Sequence, residues 1–229
     1  MPSFDIVRKC DVRSTFRTEK VKADFDVSTD NAIEHFKGFL DLPDDWQVGL
    51  IAGGSGTGKT TLATELFGDF MYHPGIGYSG DAAVIDEMPK ASSVEEIERM
   101  FYAVGFGSVP CWLKPYSVLS NGEKMRVDLA RALLTSDFVV FDEYTSVVDR
   151  QVAKVMSIAL RKCLKRYPDK RFVAVACHTD VEEFLNPDWT YSTDTFESFF
   201  ADARSDRHES SKSGAAGMRN GSALPSIII

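Results

Sequence analysis

The stretch GLIAGGSGTGKTTL, from Gly49 to Leu62, constrains the fold more than any other part of the chain. A short apolar run leads into glycines, and Lys59 and Thr60 then precede apolar residues at helical spacing. This is the pattern G-x-x-x-x-G-K-[ST] of a phosphate-binding loop between a buried strand and a helix, in which backbone N–H groups converge on phosphate oxygens. The stretch therefore predicts an α/β domain with a phosphate site formed by Gly53, Gly54, Ser55, Gly56, Thr57, Gly58, Lys59, Thr60 and Thr61.

The rest of the chain continues this alternation of strands and helices. Three apolar runs indicate buried strands: DAAVI (81–85), DFVVFDE (137–143) and RFVAVAC (171–177). Three segments with apolar residues at helical spacing indicate helices: SSVEEIERMFYAVGF, GEKMRVDLARALLT and RQVAKVMSIALRKCLKRY. The alternation predicts a P-loop core with a parallel sheet and a short helical subdomain. Short alternating pieces in residues 1–47 predict a small N-terminal antiparallel β region.

Length and composition limit the number of domains and the kind of partner. The chain has 229 residues, a net charge of −8 and a hydrophobic fraction of 44%, which suits one globular domain. We expect that domain over residues 1–200 and a disordered tail over 201–229, where small and polar residues dominate. The acidic balance argues against a non-specific nucleic-acid coat. No apolar run approaches the roughly 20 residues that span a bilayer, and four scattered cysteines suit a reducing compartment, so the expected location is cytoplasmic.

Two adjacent carboxylates, Asp142 and Glu143, follow the apolar run FVVF. The carboxyl ends of parallel strands meet at one edge of a sheet, so these side chains are expected beside the phosphate-binding loop. Asp142, acting through water, and the Thr60 hydroxyl are then predicted to hold Mg²⁺. Glu143 lies one residue further on, where it can orient or deprotonate an attacking water, which makes it the predicted general base.

The segment LSNGEKMRVDLARAL, which begins at Leu119, resembles the signature of the ABC-class ATPases, L-S-G-G-Q followed by an arginine-bearing helix. FDEYTSVVD and VAVACHTD then match, in the family's order, the second nucleotide motif with its D-loop and the strand of the switch histidine. The resemblance covers roughly residues 45–180. It implies ATP as the ligand, Asp149 in the D-loop, and His178 as the residue that hydrogen-bonds the γ-phosphate and holds the attacking water.

The resemblance also implies a mechanism. In ABC ATPases two nucleotide domains pair head to tail, and ATP is clamped between the phosphate-binding loop of one and the signature of the other. Here Ser120, Asn121, Gly122 and Glu123 would form the signature, and a serine hydroxyl with the first N–H groups of a helix is a suitable anion site. A two-fold homodimer formed with ATP would create two composite sites and would drive a conformational change in an unidentified protein or nucleic-acid partner.

Several positions depart from the family pattern. Asn121 stands where the family has glycine, Glu123 where it has glutamine, and Tyr144 where proline is usual. The glutamine that normally follows the second strand and senses Mg²⁺ is missing. Asp86, which follows the run at 81–85, is the candidate replacement and a candidate metal ligand, with a solvated loop carboxylate as the alternative.

The adenine base is expected to stack on an aromatic residue of the N-terminal strands. Phe16, in STFRTEK, is the candidate for this contact, and Phe25 is the competing assignment. A phenylalanine in a strand more often belongs to the core, so neither assignment follows from the sequence alone.

The fuller pattern is similar to a narrower group of soluble ABC-type ATPases of bacteria, archaea and phages, some of them fused to an acetyltransferase-like domain. WLKPYSVLSNGEKMRVDLARAL and ACHTDVEEFLNPDW carry this similarity, and nothing in the chain resembles an acetyltransferase domain. Three alternatives stay open. The short helical subdomain and the missing glutamine count against a transporter subunit. The segment LSNGE and His178 count against a small-molecule kinase, and Glu143 counts against an ATP-dependent clamp without turnover.

Overall fold

The computed structural model describes residues 3–9, 13–26 and 33–201. The tail predicted at 201–229 therefore lies outside the described residues, apart from Ala201. Two sheets organise the described part of the chain: a six-stranded sheet and a two-stranded sheet near the N-terminus.

The strands in chain order are β1 (Ser3–Lys9), β2 (Ile33–Phe39), β3 (Val48–Ala52), β4 (Met71–Tyr72), β5 (Phe138–Phe141), β6 (Arg171–Ala176), β7 (Trp189–Ser192) and β8 (Glu197–Phe200). The first two pair antiparallel, as predicted for the N-terminal region. The others form one sheet in the order β4-β5-β6-β3-β7-β8. All neighbouring pairs in it are parallel except β7 and β8, so the predicted parallel sheet is confirmed.

The helices are α1 (Phe16–Phe25), α2 (Lys59–Phe67), α3 (Val94–Ala103), α4 (Val109–Trp112), α5 (Asn121–Thr135), α6 (Arg150–Leu164) and α7 (Val181–Leu185). The start of α3 follows from its sequence. Ser93 N–H donates to Glu96 Oε2 at 2.8 Å, and Glu96 N–H donates back to Ser93 Oγ at 3.2 Å. This capping box satisfies N–H groups that lack partners within the helix.

The core lies on both faces of the six-stranded sheet, because alternate residues of each central strand point to opposite sides. In β3, Val48 and Leu50 pack with α3, α5 and α6, whereas Ile51 packs with α2 and the N-terminal two-stranded sheet. The same division holds for Phe172 and Val173 in β6. Helices therefore cover both faces, and the strand ends are left to form loops at the edge of the sheet.

The prediction of a strand at 81–85 is wrong. This run forms bends and turns with one isolated bridge, between Ala83 and Pro115. Its backbone hydrogen bonds go to a neighbouring loop instead of a sheet: Val84 N–H donates to Lys114 O at 3.0 Å, and Ile85 N–H to Trp112 O at 3.2 Å. The edge strand next to β5 is β4, which has only two residues.

Candidate active site

The phosphate-binding loop connects the fully buried β3 to α2. Gly58, the residue before α2, has φ 85°, a left-handed conformation that favours glycine. The buried Lys59 turns back over the loop, and its Nζ donates to Gly54 O at 2.6 Å. The first N–H groups of α2 have no acceptor within the helix, so the loop presents donors and one ammonium group to an anion. These residues fit a bound phosphate.

A second segment secures this loop. The turn between β7 and β8 places Thr193 and Asp194 against it. Thr193 Oγ1 lies 2.6 Å from Thr57 Oγ1, and Gly54 N–H donates to the Asp194 carboxylate at 3.0 Å. A Cβ on Gly53 would lie 2.1 Å from Thr193 Oγ1, so this position requires glycine. The sequence does not predict a role for either residue, because their contacts span 136 and 140 residues of the chain.

The predicted metal-holding pair is brought together. Thr60, on the first turn of α2, donates from Oγ1 to Asp142 Oδ1 at 3.1 Å. Asp142 follows β5 and is 7% exposed. A hydroxyl and a carboxylate at this spacing are suitable oxygen ligands for Mg²⁺. The pair therefore fits a divalent ion that accompanies a phosphate chain.

His73 was not predicted from the sequence. It follows β4, and its Nδ1 lies 3.5 Å from Asp142 Oδ2. A cleft of about 450 Å³ opens beside this pair, lined by His73, Pro74, Met125, Asp142, Glu143, Ser146 and Val147. The two carboxylate oxygens of Asp142 thus face different partners, Thr60 on one side and His73 on the other.

The predicted general base, Glu143, lies in the wall of this cleft. Its φ is 51° and that of Thr145 is 64°, and such left-handed conformations are uncommon for non-glycine residues. Between them Tyr144 is fully buried, with its hydroxyl 3.0 Å from Ser157 Oγ. The buried tyrosine anchors the turn, and the turn leaves the Glu143 side chain exposed.

The predicted signature forms the start of α5. Ser120 is its N-cap, and its hydroxyl donates to Glu123 Oε2 at 2.7 Å while the Glu123 N–H donates to Ser120 Oγ at 3.4 Å. Hydrogen bonds from the Cys111 thiol and from the hydroxyl and backbone N–H of Ser120 lower the pKa of Glu123 to about 2. Glu123 is therefore ionised at neutral pH. Asn121 is exposed, and Gly122 packs against Val152, which a Cβ would approach to 3.2 Å.

Two further predicted residues lie in loops that follow strands of the sheet. Asp149 is the N-cap of α6, and its Oδ1 accepts from Gln151 N–H at 2.9 Å and from Val152 N–H at 3.0 Å. His178 is exposed, two residues beyond the end of β6. Because β6 lies between β5 and β3, the loop that carries His178 leaves the sheet between the carboxylate pair and the phosphate-binding loop.

The remaining predicted residues are not brought to this site by any described contact. Asp86 is exposed on a turn, since the strand expected to precede it is absent. Phe16 is 85% exposed and Phe25 73% exposed, both on α1, so neither lies in an N-terminal strand as expected. Phe36 on β2 lies closer: its ring is 3.4 Å from the position of a Cβ on Gly58.

The fold is that of ABC transporter ATPase cassettes. The dimeric structure of MJ0796, a bacterial ABC transporter cassette, matches with a TM-score of 0.54 and 16% identity, over 71% of this chain and 88% of that one. A dimeric post-hydrolysis state of MJ0796 bound to ADP and Pi matches with a TM-score of 0.55 and 15% identity, over 71% of this chain and 88% of that one. A bacterial Atm1-family ABC exporter with ATP bound matches with 0.54 and 14%, over 80% of this chain and 39% of that one.

No protein-family model matches the chain. At these identities the likeness to solved structures establishes the fold, and the chemistry has to be argued from the residues. None of the helices in the described ranges combines the length and apolar character that crossing a membrane requires.

Proposed function

We propose that this chain is an ATP-hydrolysing ATPase of the ABC type that works with Mg²⁺ as a head-to-tail homodimer. The observation that carries the proposal is the Thr60–Asp142 contact, which joins the phosphate-binding loop to the strand end that precedes Glu143. The cassette fold of the structural matches supports the same class of chemistry.

Each residue has a separate task in this proposal. Lys59 and the N-terminus of α2 bind the β- and γ-phosphates. Thr60 and Asp142 hold Mg²⁺, which when bound neutralises charge on the phosphate oxygens. Glu143, exposed in the wall of the cleft, accepts a proton from the attacking water. His178, on the loop after β6, hydrogen-bonds the γ-phosphate.

The second half of each site comes from the partner copy. The N-terminus of the 15-residue α5 would serve as the anion site, and Ser120, the N-cap residue of this helix, is exposed there. The Ser120 hydroxyl donates to Glu123 in the single chain, so it must leave this acceptor before it can donate to a phosphate. Closure of the dimer therefore competes with the capping box.

The proposed role is to drive a conformational change in a protein or nucleic-acid partner in the cytoplasm, as a member of the soluble group that includes acetyltransferase-like fusions. The helical region between β4 and α5 supports a partner other than a membrane channel, because its helices have 10 and 4 residues. The alternative is a transporter subunit. Purification of the nucleotide-trapped protein from cells would identify which partner it binds.

The test uses Glu143→Gln in sedimentation velocity with Mg-ATP. We expect ATP binding to persist, hydrolysis to fall by about 10²–10⁴-fold because the general base is lost, and a dimer to accumulate. On this background Ser120→Arg should bind ATP as a monomer, because a bulky cation replaces a small hydroxyl at the interface. Ser120→Ala, the matched control without added bulk, should weaken the dimer less. Full turnover by Glu143→Gln would assign the base elsewhere, and unchanged dimerisation of Ser120→Arg would exclude the head-to-tail arrangement.

A further inference from the structure

The imidazole of His73 lies beside the carboxylate that is proposed to hold the metal. His73 Nδ1 is 3.5 Å from Asp142 Oδ2, while Asp142 Oδ1 accepts the Thr60 hydroxyl at 3.1 Å. We infer that His73 is a nitrogen ligand of the divalent cation that enters with the nucleotide. The inference rests on the proposed function and adds a ligand of a different chemical kind to its metal site.

The backbone fixes the position of His73. β4 and β5 are parallel neighbours with Tyr72 paired to Phe141, so the next residues along, His73 and Asp142, leave the sheet side by side. The Asp142 N–H donates to Tyr72 O at 3.1 Å, so the hydrogen bonding between β4 and β5 extends to Asp142. The proximity of the two side chains therefore follows from strand register and does not depend on a rotamer alone.

The spacing of the donor atoms suits a shared ion. Ligands on adjacent corners of an octahedral ion with bonds of about 2.1 Å lie about 3.0 Å apart. His73 Nδ1 and Asp142 Oδ2 lie 3.5 Å apart, somewhat beyond that value, and the 3.1 Å contact of Thr60 is with the other carboxylate oxygen, Oδ1. Small side-chain movements are enough to bring an imidazole nitrogen and a carboxylate oxygen onto one ion.

Asp142 is buried and His73 is half exposed, so a metal ion between them would be held from the protein side and open to ligands from the cleft. The Asp142 side chain is 9% exposed, whereas that of His73 is 49% exposed and lies in the wall of the cleft shared with Glu143. Within the part of the chain that the structure describes, no three His, Cys, Asp or Glu side chains form a self-contained metal site. Besides Thr60, Asp142 and His73, the ion would take its ligands from the nucleotide and from water, which the open cleft permits.

A nitrogen ligand changes the metal preference. Mg²⁺ takes oxygen ligands, whereas imidazole favours later first-row ions, whose affinity rises from Mn²⁺ to Co²⁺ and beyond. Replacing His73 with glutamine, which offers an oxygen in a side chain of similar reach, should lower the ratio of Co²⁺ to Mg²⁺ affinity. We expect a change of at least about tenfold, because even the loss of an outer-shell partner of a metal ligand lowers metal affinity by about 10–100-fold.

The direct test is pulsed EPR on the full chain with Mn²⁺ and the non-hydrolysable analogue AMP-PNP, using protein labelled at the histidine nitrogens. We expect a nitrogen coupling on Mn²⁺ in the parent that disappears in His73→Gln. The chain has four histidines, and two of them provide matched controls. His35→Gln, on β2, is the control without a proposed role; His178→Gln, on the loop after β6, is compared at saturating AMP-PNP because His178 is proposed to contact the γ-phosphate. Both should keep the coupling.

The outcomes separate this inference from the proposed function. A parent that binds Mn²⁺ and AMP-PNP without a histidine coupling overturns the inference and leaves the proposed function standing. A coupling that survives in His73→Gln, or that is lost in His178→Gln instead, also overturns it. A parent that binds no AMP-PNP with either Mg²⁺ or Mn²⁺ contradicts the proposed function, and the inference falls with it.

Discussion

Asp128 on α5 is 1% exposed and holds together the chain segments around the edge strand. Its Oδ1 accepts the hydroxyls of Tyr72 and Tyr78, each at 3.0 Å, and the N–H of Gly75 at 3.2 Å. Its Oδ2 accepts the Tyr116 hydroxyl at 2.6 Å. One carboxylate thus ties α5 to the segment that follows β4.

Asp128→Ala should destabilise the fold by about 3–5 kcal/mol. Each hydrogen bond to a charged group contributes about 1.5–3 kcal/mol net, but their sum overstates the loss because burial of the carboxylate is itself unfavourable. The alanine also leaves three partly buried phenols without their acceptor, at about 1–3 kcal/mol for each one that water cannot reach. Asp128→Asn keeps one acceptor oxygen and the side-chain shape, so we expect a loss of only about 1–2 kcal/mol.

The pH dependence of the free energy of unfolding provides a second test of the role of Asp128. Burial raises the pKa of Asp128 above its ordinary value of 3.8, although the hydrogen bonds from Tyr116 and its neighbours oppose the shift. At pH values between 3.8, the ordinary pKa that applies in the unfolded chain, and the raised pKa of the folded chain, the folded chain binds more protons than the unfolded chain. Stability therefore falls as pH rises through this range. Above the raised pKa the contribution is constant. The stability difference between parent and Asp128→Asn should therefore decrease from pH 3.8 upward and then level off.

Urea unfolding at several pH values measures both effects. Asp169→Ala is the matched control, because Asp169 is exposed on a turn and such substitutions usually stay within about 0.5 kcal/mol. A loss below about 1 kcal/mol for Asp128→Ala would show that the carboxylate only balances its own burial. Equal losses for the alanine and asparagine variants would show that the acceptor oxygens are not what stabilises this cluster.

Two further predictions concern the proposed nucleotide site. Lys59→Ala should abolish ATP binding in isothermal titration, because it removes the ammonium group that lies over the phosphate-binding loop; a variant that binds ATP as tightly as the parent would contradict the assignment of the loop. Glu123→Gln keeps an acceptor for the Ser120 hydroxyl but removes a negative charge from the start of α5. On the Glu143→Gln background it should tighten the ATP-dependent dimer about fivefold, or about 1 kcal/mol, and a weaker dimer in sedimentation would refute the charge argument.

The features that the sequence predicted are those encoded within one short segment. The phosphate-binding loop, the amphipathic helix α3 and the carboxylates after β5 each depend on residues close together in the chain. The capping box of Ser120 and Glu123 has the S-x-x-E signal. The pattern of the segment is thus compatible with a helix start as well as with the predicted signature.

The features that the sequence did not predict depend on partners distant in the chain. β4 has two residues, too few for a periodic signal, and is a strand only because Met71 and Tyr72 pair with β5. His73 acquires its position from that pairing. Asp194 likewise meets Gly54 N–H across 140 residues of sequence, through the turn between β7 and β8. Hydrophobic periodicity carries no information about such contacts.

The tyrosine after Asp142 and Glu143 illustrates how a departure from a family pattern can be accommodated. Tyr144 N–H donates to Val175 O on β6 at 2.8 Å, a bond that proline could not make because it has no N–H. The ring is fully buried beside Phe141 and Phe172, and its hydroxyl contacts Ser157. Backbone and side chain thus both bind the turn to the core. A proline would fix the turn through its restricted φ; here packing and hydrogen bonding fix it, and they hold Glu143 in the left-handed conformation that leaves its carboxylate exposed in the cleft.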